Sequence, residues 1–456
     1  MQQAAISFRL PKTSPFHYLL NPFNLLLMFP VLIDLSMPFL TWKGIIPDPL
    51  SYLSHASIAL IIVLVFLRMM IFDHVPAIVW AIAWLSIVSI SVALIRGQSI
   101  AGSLWGWWLM FQFPMLALYA YLNPYWPERF PAIFHTFCLY FLSGQLLLQI
   151  GQFATGEPVG DHLAGIFGKH GSTGLAVFVS LILCYALGRW LARGDWKTLL
   201  FILIITTASS VLAELKLFLV VTVVLSVCTL IIYVIRTGKL LRIIPYIIFV
   251  TVMLVAFVGF YNEVVVGEDG TRIEEYIFDS QKLEGYLNLR KQRTFHGNYG
   301  YEIGRNYALE IGWQTLTQDT STMLFGFGIG ARSVSSAIGV VGNALAQGNV
   351  GLNAGSSLLV LMQEIGMVGL AMLALFFAWT IMTLFRHINR NPASDANQLR
   401  YGIILFTLLW PVWLWYGLTW NFRLPMEFYW IILGYVMYEA RTHRTIQQQN
   451  STAVVS

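Results

Sequence analysis

The chain has 456 residues, 57% of them hydrophobic, 15% aromatic and 11% charged, with mean hydropathy +0.69 and formal net charge +5. Soluble domains carry roughly a quarter charged residues, so a soluble globular protein is excluded. The positive charge has a topological explanation, and nucleic-acid binding is set aside with it.

In chain order, apolar runs near the ~20 residues that cross a bilayer recur about twelve times. They fall at roughly 18–40, 55–72, 76–95, 104–122, 130–151, 172–191, 198–212, 216–235, 242–261, 357–386, 400–418 and 424–439. Each is expected to be helical, because an open sheet edge has no place in lipid. The polar start through His17 runs directly into the first span, unlike a cleavable signal. With the N-terminus in the cytoplasm, fifteen Lys or Arg fall on inner segments. Only five (Lys43, Arg96, Lys169, Lys216 and Arg423) fall on the short outer ones. This positive-inside bias predicts that both termini are cytoplasmic and accounts for most of the net charge. Cys138, Cys184 and Cys228 all lie within spans and show no metal or disulfide spacing. The clusters Trp105, Trp107, Trp108 and Trp410, Trp413, Trp415, Trp420 suit interfacial belts.

Charges inside the apolar runs are few. Asp34 is one, in the first span. Glu214 and Lys216, in "SSVLAELKLFLV", are alone between Thr198 and Val234. A single helix over 198–235 would be about 57 Å long at ~1.5 Å per residue, nearly twice the ~30 Å hydrocarbon core. Two helices with a tight outer turn near Ala213 resolve this and place both charges at the tip. There they either seal the turn as an ion pair or face a polar cavity inside the bundle.

One long connection, 262–356, lies on the outer side. It begins acidic (Glu263, Glu268, Asp269, Glu274, Glu275, Asp279, Glu284) and turns basic and aromatic in "LNLRKQRTFHGNYGYEIGRNYALEIGWQTL". Arg290, Lys291, Arg293, His296 and Arg305 form a basic patch. The planar Arg fork suits a pyrophosphate, and interleaved Tyr and Trp suit sugar rings. Pairing with the acidic half of the loop is the plainer alternative. A helix is expected over 303–317. "GFGIG" at 326–330 is a weak nucleotide signal, since no strand precedes it. Ser356 or Ser357 is expected to cap the next helix, which carries Glu364 two turns in.

Twelve spans, a late outer loop, "GRNYALEIGW", "GFGIG" and "QEIGMVGL", together with "GIFGKHGSTG" at 165–174, resemble the O-antigen ligase and O-antigen polymerase superfamily. The resemblance covers mainly 165–375 and implies a GT-C-type membrane glycosyltransferase. The expected fold class is an all-α integral membrane protein, one polytopic domain over 1–456 with about 12 transmembrane helices. Between its ninth and tenth spans lies one long, partly helical periplasmic loop, 262–356. The implied setting is a bacterial inner membrane, and the implied substrate is an undecaprenyl-diphosphate-linked oligosaccharide. A chain-length regulator protein is a further implied partner, and no cofactor or metal is expected.

The family's loop Arg maps onto Arg305. Its mid-chain Arg has no clean match, and Glu214 and Lys216 occupy roughly that place. The ligases carry His-Asn nine and eight residues before the Glu of Glu-x-Gly, where this chain has Gly355 and Ser356. The missing histidine favours a polymerase, whose acceptor is another lipid-linked repeat unit. On that resemblance the transfer is metal-independent and inverting. Glu214 would take the proton from the attacking hydroxyl, and Arg305, Arg293, Arg290 and Lys216 would hold the diphosphate. His296, Lys169, His170 and Glu364 are further candidates. Two alternatives stand beside this: a ligase transferring to lipid A core with its base supplied by His296 or His170, and a lipid-linked oligosaccharide flippase. No two halves of the chain look alike, which disfavours the flippase.

Overall fold

The computed structural model describes residues 21–71, 77–127, 129–169, 171–238, 244–263, 272, 275, 279–288, 290–295, 298–335, 339–342, 356–419 and 422–455. The first helices are α1 (Pro22–Trp42), α2 (Tyr52–Ile71), α3 (Ala77–Ile95), α4 (Ile100–Leu122), α5 (Phe130–Ala154) and α6 (Ser172–Arg193). Next come α7 (Trp196–Leu212), α8 (Leu217–Thr237) and α9 (Ile244–Tyr261). The long connection carries α10 (Ser280–Leu287), a hairpin of β1 (Arg290–Phe295) and β2 (Asn298–Ile303), α11 (Arg305–Leu316) and α12 (Thr320–Phe325). A second two-stranded ribbon, β3 (Val334–Ser335) with β4 (Val340–Val341), follows. The chain ends with α13 (Ser357–Arg390), α14 (Asn397–Leu408), α15 (Trp410–Tyr416) and α16 (Arg423–Val455).

The protein is therefore an α-helical, multi-pass membrane protein. Among the described residues, α1, α2, α5, α6, α8, α9 and α13 are long and apolar enough to cross a membrane. The pair α14 and α15, bent by 46°, makes an eighth if it is one span. That is fewer than the twelve expected. The other predicted segments are helices too, with different character. The apolar parts of α3 and α7 are short. Gly102, Gly106 and Gln112 dilute α4, and all three are buried in packing rather than turned to lipid.

Sequence punctuation explains the ends. Asn21 caps α1 by accepting from the Phe23 N–H at 3.0 Å, with Pro22 in the first turn where its missing N–H costs nothing. Asp195 caps α7, and Ser356 caps α13 as expected. The central helix is α6, most of whose side chains are buried. It crosses α14 at glycines: a Cβ on Gly188 would lie 2.4 Å from the Gly402 nitrogen. Small residues at such a crossing let the backbones meet, which is how helices associate where lipid supplies no hydrophobic drive.

Several tryptophans of the two clusters pack within the bundle. Trp413 is fully buried and Trp410 nearly so. Trp107 donates to the Ser86 hydroxyl at 2.8 Å, and Trp108 to His55 Nδ1 at 3.3 Å. Indole N–H groups that find internal acceptors belong to the bundle. Trp420, like the N-terminal segment through His17, lies outside the described residues.

The glycine motif at 326–330 is a packing device. It threads between α3, α4 and α13. A Cβ on Gly328 would strike Ala93 at 2.2 Å, and one on Gly330 the Gly102 carbonyl at 2.1 Å. Facing it, α13 breaks at Gly366 (φ 62°, ψ −169°). The break frees carbonyls of the preceding turn, and the loop satisfies them: Phe327 N–H donates to Gln363 at 2.7 Å and Gly328 N–H to Glu364 at 3.1 Å.

Candidate functional site

Glu214 sits where the sequence placed a turn. Helix α7 ends at Leu212, the Ala213 N–H bonds back to Ser209 at 3.2 Å, and the Leu215 N–H to Ser210 at 2.8 Å. Among the described residues Glu214 is the one non-glycine with positive φ, at 57°. Left-handed backbone costs an L-residue with a Cβ about 1–2 kcal/mol. Such strain persists only where the surroundings enforce it.

The surroundings are specific. Glu214 Oε1 accepts from the Tyr261 hydroxyl at 2.8 Å, at the end of α9, and from Lys216 Nζ at 3.1 Å. Its other oxygen lies against Gly160, where an added Cβ would come within 3.0 Å. Gly160 has φ 111° and donates its N–H to the Leu212 carbonyl at 3.1 Å. Tyr261 is buried, whereas the side chains of Glu214 and Lys216 remain 36% and 47% exposed. An ion pair that open contributes about 0–1 kcal/mol, too little to offset the backbone strain by itself.

The segment around Gly160 is held by one face of α5. Gln145 accepts from the Ile166 N–H at 3.0 Å and donates to the Ala164 carbonyl at 3.0 Å. Gln149 donates to Leu163 at 2.6 Å and accepts from the Ser209 hydroxyl at 2.7 Å, and Gln152 accepts from the Gly165 N–H at 3.0 Å. Positions 145, 149 and 152 share a helical face, so three amides grip one loop. Lys169 is exposed, and His170 lies outside the described residues.

Arg305 opens α11, inside the helix expected over 303–317. Its Nε donates to the Tyr416 carbonyl at 2.8 Å, and its guanidinium stands 4.4 Å from the Tyr416 ring centroid and 5.8 Å from that of Trp415. These contacts fix the plane of the fork. Its two terminal nitrogens make no hydrogen bond among the described residues. Beneath lies a knot of short hydroxyls. The Ser357 N–H donates to Gly417 at 2.9 Å, Ser357 Oγ lies 3.0 Å from Thr419 Oγ1, and the Ser356 hydroxyl donates to the Leu414 carbonyl at 3.1 Å.

No direct contact joins Glu214 to Arg305, but one segment touches both neighbourhoods. Gly160 packs on Glu214, and Thr173, at the start of α6, lies 3.6 Å from where a Cβ on Gly417 would stand, beside Tyr416. Arg290 and Arg293 fall on β1, with Arg293 paired to Gly300. Their side chains, and His296 altogether, lie outside the described residues. Glu364 is placed differently. It is buried and accepts from the Arg332 N–H at 2.9 Å and the Ser333 hydroxyl at 3.2 Å, so it braces the glycine loop. Burial pushes the Arg332 guanidinium below its ordinary pKa, with the Glu364 charge opposing.

Sequence reading missed Tyr261, Gly160 and a second polar cluster. Arg423 donates from Nε to Asp34 at 2.7 Å and from Nη2 to the Ser54 hydroxyl at 2.5 Å, and Nη1 lies 2.8 Å from His55 Nδ1. Glu427, fully buried, completes it. Glu427 was visible as an acid inside the last apolar run, the same signal that marked Asp34. With its donors spent on protein groups, Arg423 ties α1, α2 and α16 together. Among the described residues no group of three or more His, Cys, Asp or Glu is placed to hold a metal ion. A scan against protein-family models matches none of them to the chain, and comparison with curated proteins finds no match.

Proposed function

We propose that this protein is a polysaccharide polymerase. It transfers a glycan from an undecaprenyl-diphosphate carrier to another lipid-linked repeat unit on the outer face of a bacterial inner membrane. The observation that carries this reading is Glu214, a strained, half-open carboxylate oriented by Tyr261 and Lys216. Arg305 supports it with a fork fixed at Nε and open at its terminal nitrogens. The acceptor hydroxyl attacks the anomeric carbon as the bond to the diphosphate oxygen breaks. Glu214 takes the hydroxyl proton, and Arg305, with Lys216, Arg290 and Arg293, receives the departing diphosphate.

The orientation with both termini cytoplasmic and 262–356 outside is part of the same reading, as are twelve crossings. Supporting it, residues expected inside contact one another at one end of the bundle, and those expected outside do so at the other. A chain-length regulator would be the protein partner. The deciding experiment gives the purified full chain in lipid nanodiscs a lipid-diphosphate oligosaccharide. A ladder of lengthening glycans is the expected product. Product formed only when lipid A core is added would make the protein a ligase, and no product with either acceptor would remove the transferase reading.

A further inference from the structure

The cluster around Arg423 does not balance in charge. Arg423 Nε donates to Asp34 Oδ2 at 2.7 Å, and Nη2 to the Ser54 hydroxyl, which itself donates to Asp34 Oδ2 at 2.8 Å. Nη1 faces both ring nitrogens of His55, and Trp108 donates to Nδ1 at 3.3 Å. Guanidinium and indole nitrogens only donate, so His55 accepts and its ring is neutral. One cation therefore meets one carboxylate, and that pair is closed.

Glu427 is the acid left over. It stands one helical turn after Arg423 on α16, so the two share a face, and that face meets α1. It is fully buried, and neither carboxyl oxygen has a hydrogen-bond donor among the described residues. The group that it does face is the carboxyl of Asp34, which is itself buried. Helices α4, α6 and α14 also pack on α16, but the charges acting on Glu427 are those of Asp34 and Arg423. Ionised carboxylates only accept, so two of them in contact have no hydrogen to share. A proton on one changes this, because the acid then donates its O–H to the other. A hard metal ion would fit less well, since it takes about six oxygens. Among the described residues no group of three or more His, Cys, Asp or Glu gathers to supply them, and the guanidinium already holds Asp34.

We infer that Asp34 and Glu427 form a proton-binding site, in which one exchangeable proton joins the two carboxyls and ties α16 to α1. The Arg423 side chain is 19% exposed and His55 is half-buried, so water comes within one side chain of the pair. When hydroxide takes the proton, water forms and two carboxylates are left against a single guanidinium. Like charges that close repel, and the contact between α1 and α16 loosens. The site thus makes one helix contact of the bundle depend on pH.

The test is infrared difference spectroscopy on the full chain in lipid nanodiscs, between neutral and alkaline buffer. The expected signal is the carbonyl stretch of a protonated carboxylic acid, present at neutral pH, shifted in heavy water and lost in alkali. Glu427→Gln should lack this band, while its amide N–H still donates to Asp34 and keeps the contact. Glu364 is buried too, and any band of its own persists in that variant. Asp34→Asn should also lose the band, because Glu427 is then the one carboxylate balancing Arg423. Thermal stability gives a second readout: a proton held by the folded chain alone makes stability fall as pH rises. That fall should be present in the parent and reduced in both variants. A band that survives alkali until the protein unfolds, or that persists in Asp34→Asn, would make the proton a fixed consequence of burial and overturn the inference. So would the absence of a band at neutral pH. A band seen only when choline replaces sodium would give the site to a metal cation instead. If Glu427→Gln does not insert stably, Asp34→Asn decides. The measurement needs no glycan, so it stands apart from the polymerase reading.

Discussion

Both ends of the bundle hold closed ion pairs, but the two differ in what they leave open. At one end Arg189 pairs with Asp195 at 2.6 Å and donates to Gln398 at 2.9 Å, while Arg193 pairs with Asp395 at 2.5 Å. Arg400, 1% exposed, is locked between Glu439 and the Asn397 side chain, and Arg236 donates to the Leu191 carbonyl at 2.5 Å. Each of these cations staples two helices. At the other end Arg305 keeps open donors, and Glu214 keeps an exposed carboxylate on strained backbone. Pairs that close on themselves hold helices together. Charges oriented on one side and open on the other are what the proposed transfer requires.

The sharpest way to break this contrast is Glu214→Gln. The proposed base contributes ~10²–10⁴-fold, so glycan polymerisation per inserted molecule should fall by that factor with the turn retained. Undiminished polymer would make Glu214 a turn residue. Removing both charges tests the same point differently. If they only seal the turn, Glu214→Gln with Lys216→Met is milder than either change alone. At the opposite end the effect should move from activity to stability. Arg400→Met removes a charge-assisted contact from Glu439, which keeps its bond from the Ser394 hydroxyl, and should cost about 1.5–3 kcal/mol, read as a loss of thermal stability in detergent. The protein that remains folded should polymerise normally.

Arg305→Ala should cost about 1.5–3 kcal/mol of transition-state stabilisation, with the lysine variant recovering part of it, because a point charge cannot reproduce the fork. Normal elongation by Arg305→Ala would move the diphosphate elsewhere. Tyr261→Phe removes one hydrogen bond to the Glu214 carboxylate and should slow turnover about tenfold. An unchanged rate with lowered thermal stability would mean that Tyr261 only supports packing.

The smallest effect belongs to Asp195. Burial raises its carboxyl pKa, but hydrogen bonds from Arg189 and Thr198 outweigh this and hold it below the ordinary value. Its contribution to stability is present above the unfolded-state pKa and is lost as pH falls through the lower folded one. Asp195→Asn should therefore be less stable than the parent near neutrality, with the difference closing as the pH falls into acid. A difference that persists in acid would point to lost capping of α7 instead.

What the sequence disclosed follows from the range of the interactions involved. The turn at Glu214 was legible because a helix over 198–235 is too long for a bilayer, and the helix opened by Arg305 because its pattern is local. Tyr261 was not, since nothing local marks a partner 47 residues away. The Asp34–Arg423 bond spans 389 positions, and only Asp34 stood out as an acid in an apolar run. Of the twelve spans counted from the sequence, seven stand among the described residues as helices long and apolar enough to cross, or eight with the bent pair. The short apolar parts of α3 and α7 and the buried glycines and Gln112 of α4 keep those three helices out of that count. Three motifs quoted for the family resemblance also acquire physical roles here. "GFGIG" and "QEIGMVGL" are two halves of one docking contact, and "GIFGKHGSTG" is the strap that α5 holds near Glu214.

The docked glycine loop also dictates an order of assembly. Its backbone N–H groups find their acceptors on Gln363 and Glu364, which leave the ribosome after it, and its glycines need Ala93 and Gly102, made long before. Unpaired N–H and C=O groups are costly at membrane depth. The latch can therefore close only after the first turns of α13 have been made, and a chain truncated before residue 363 would lack both acceptors.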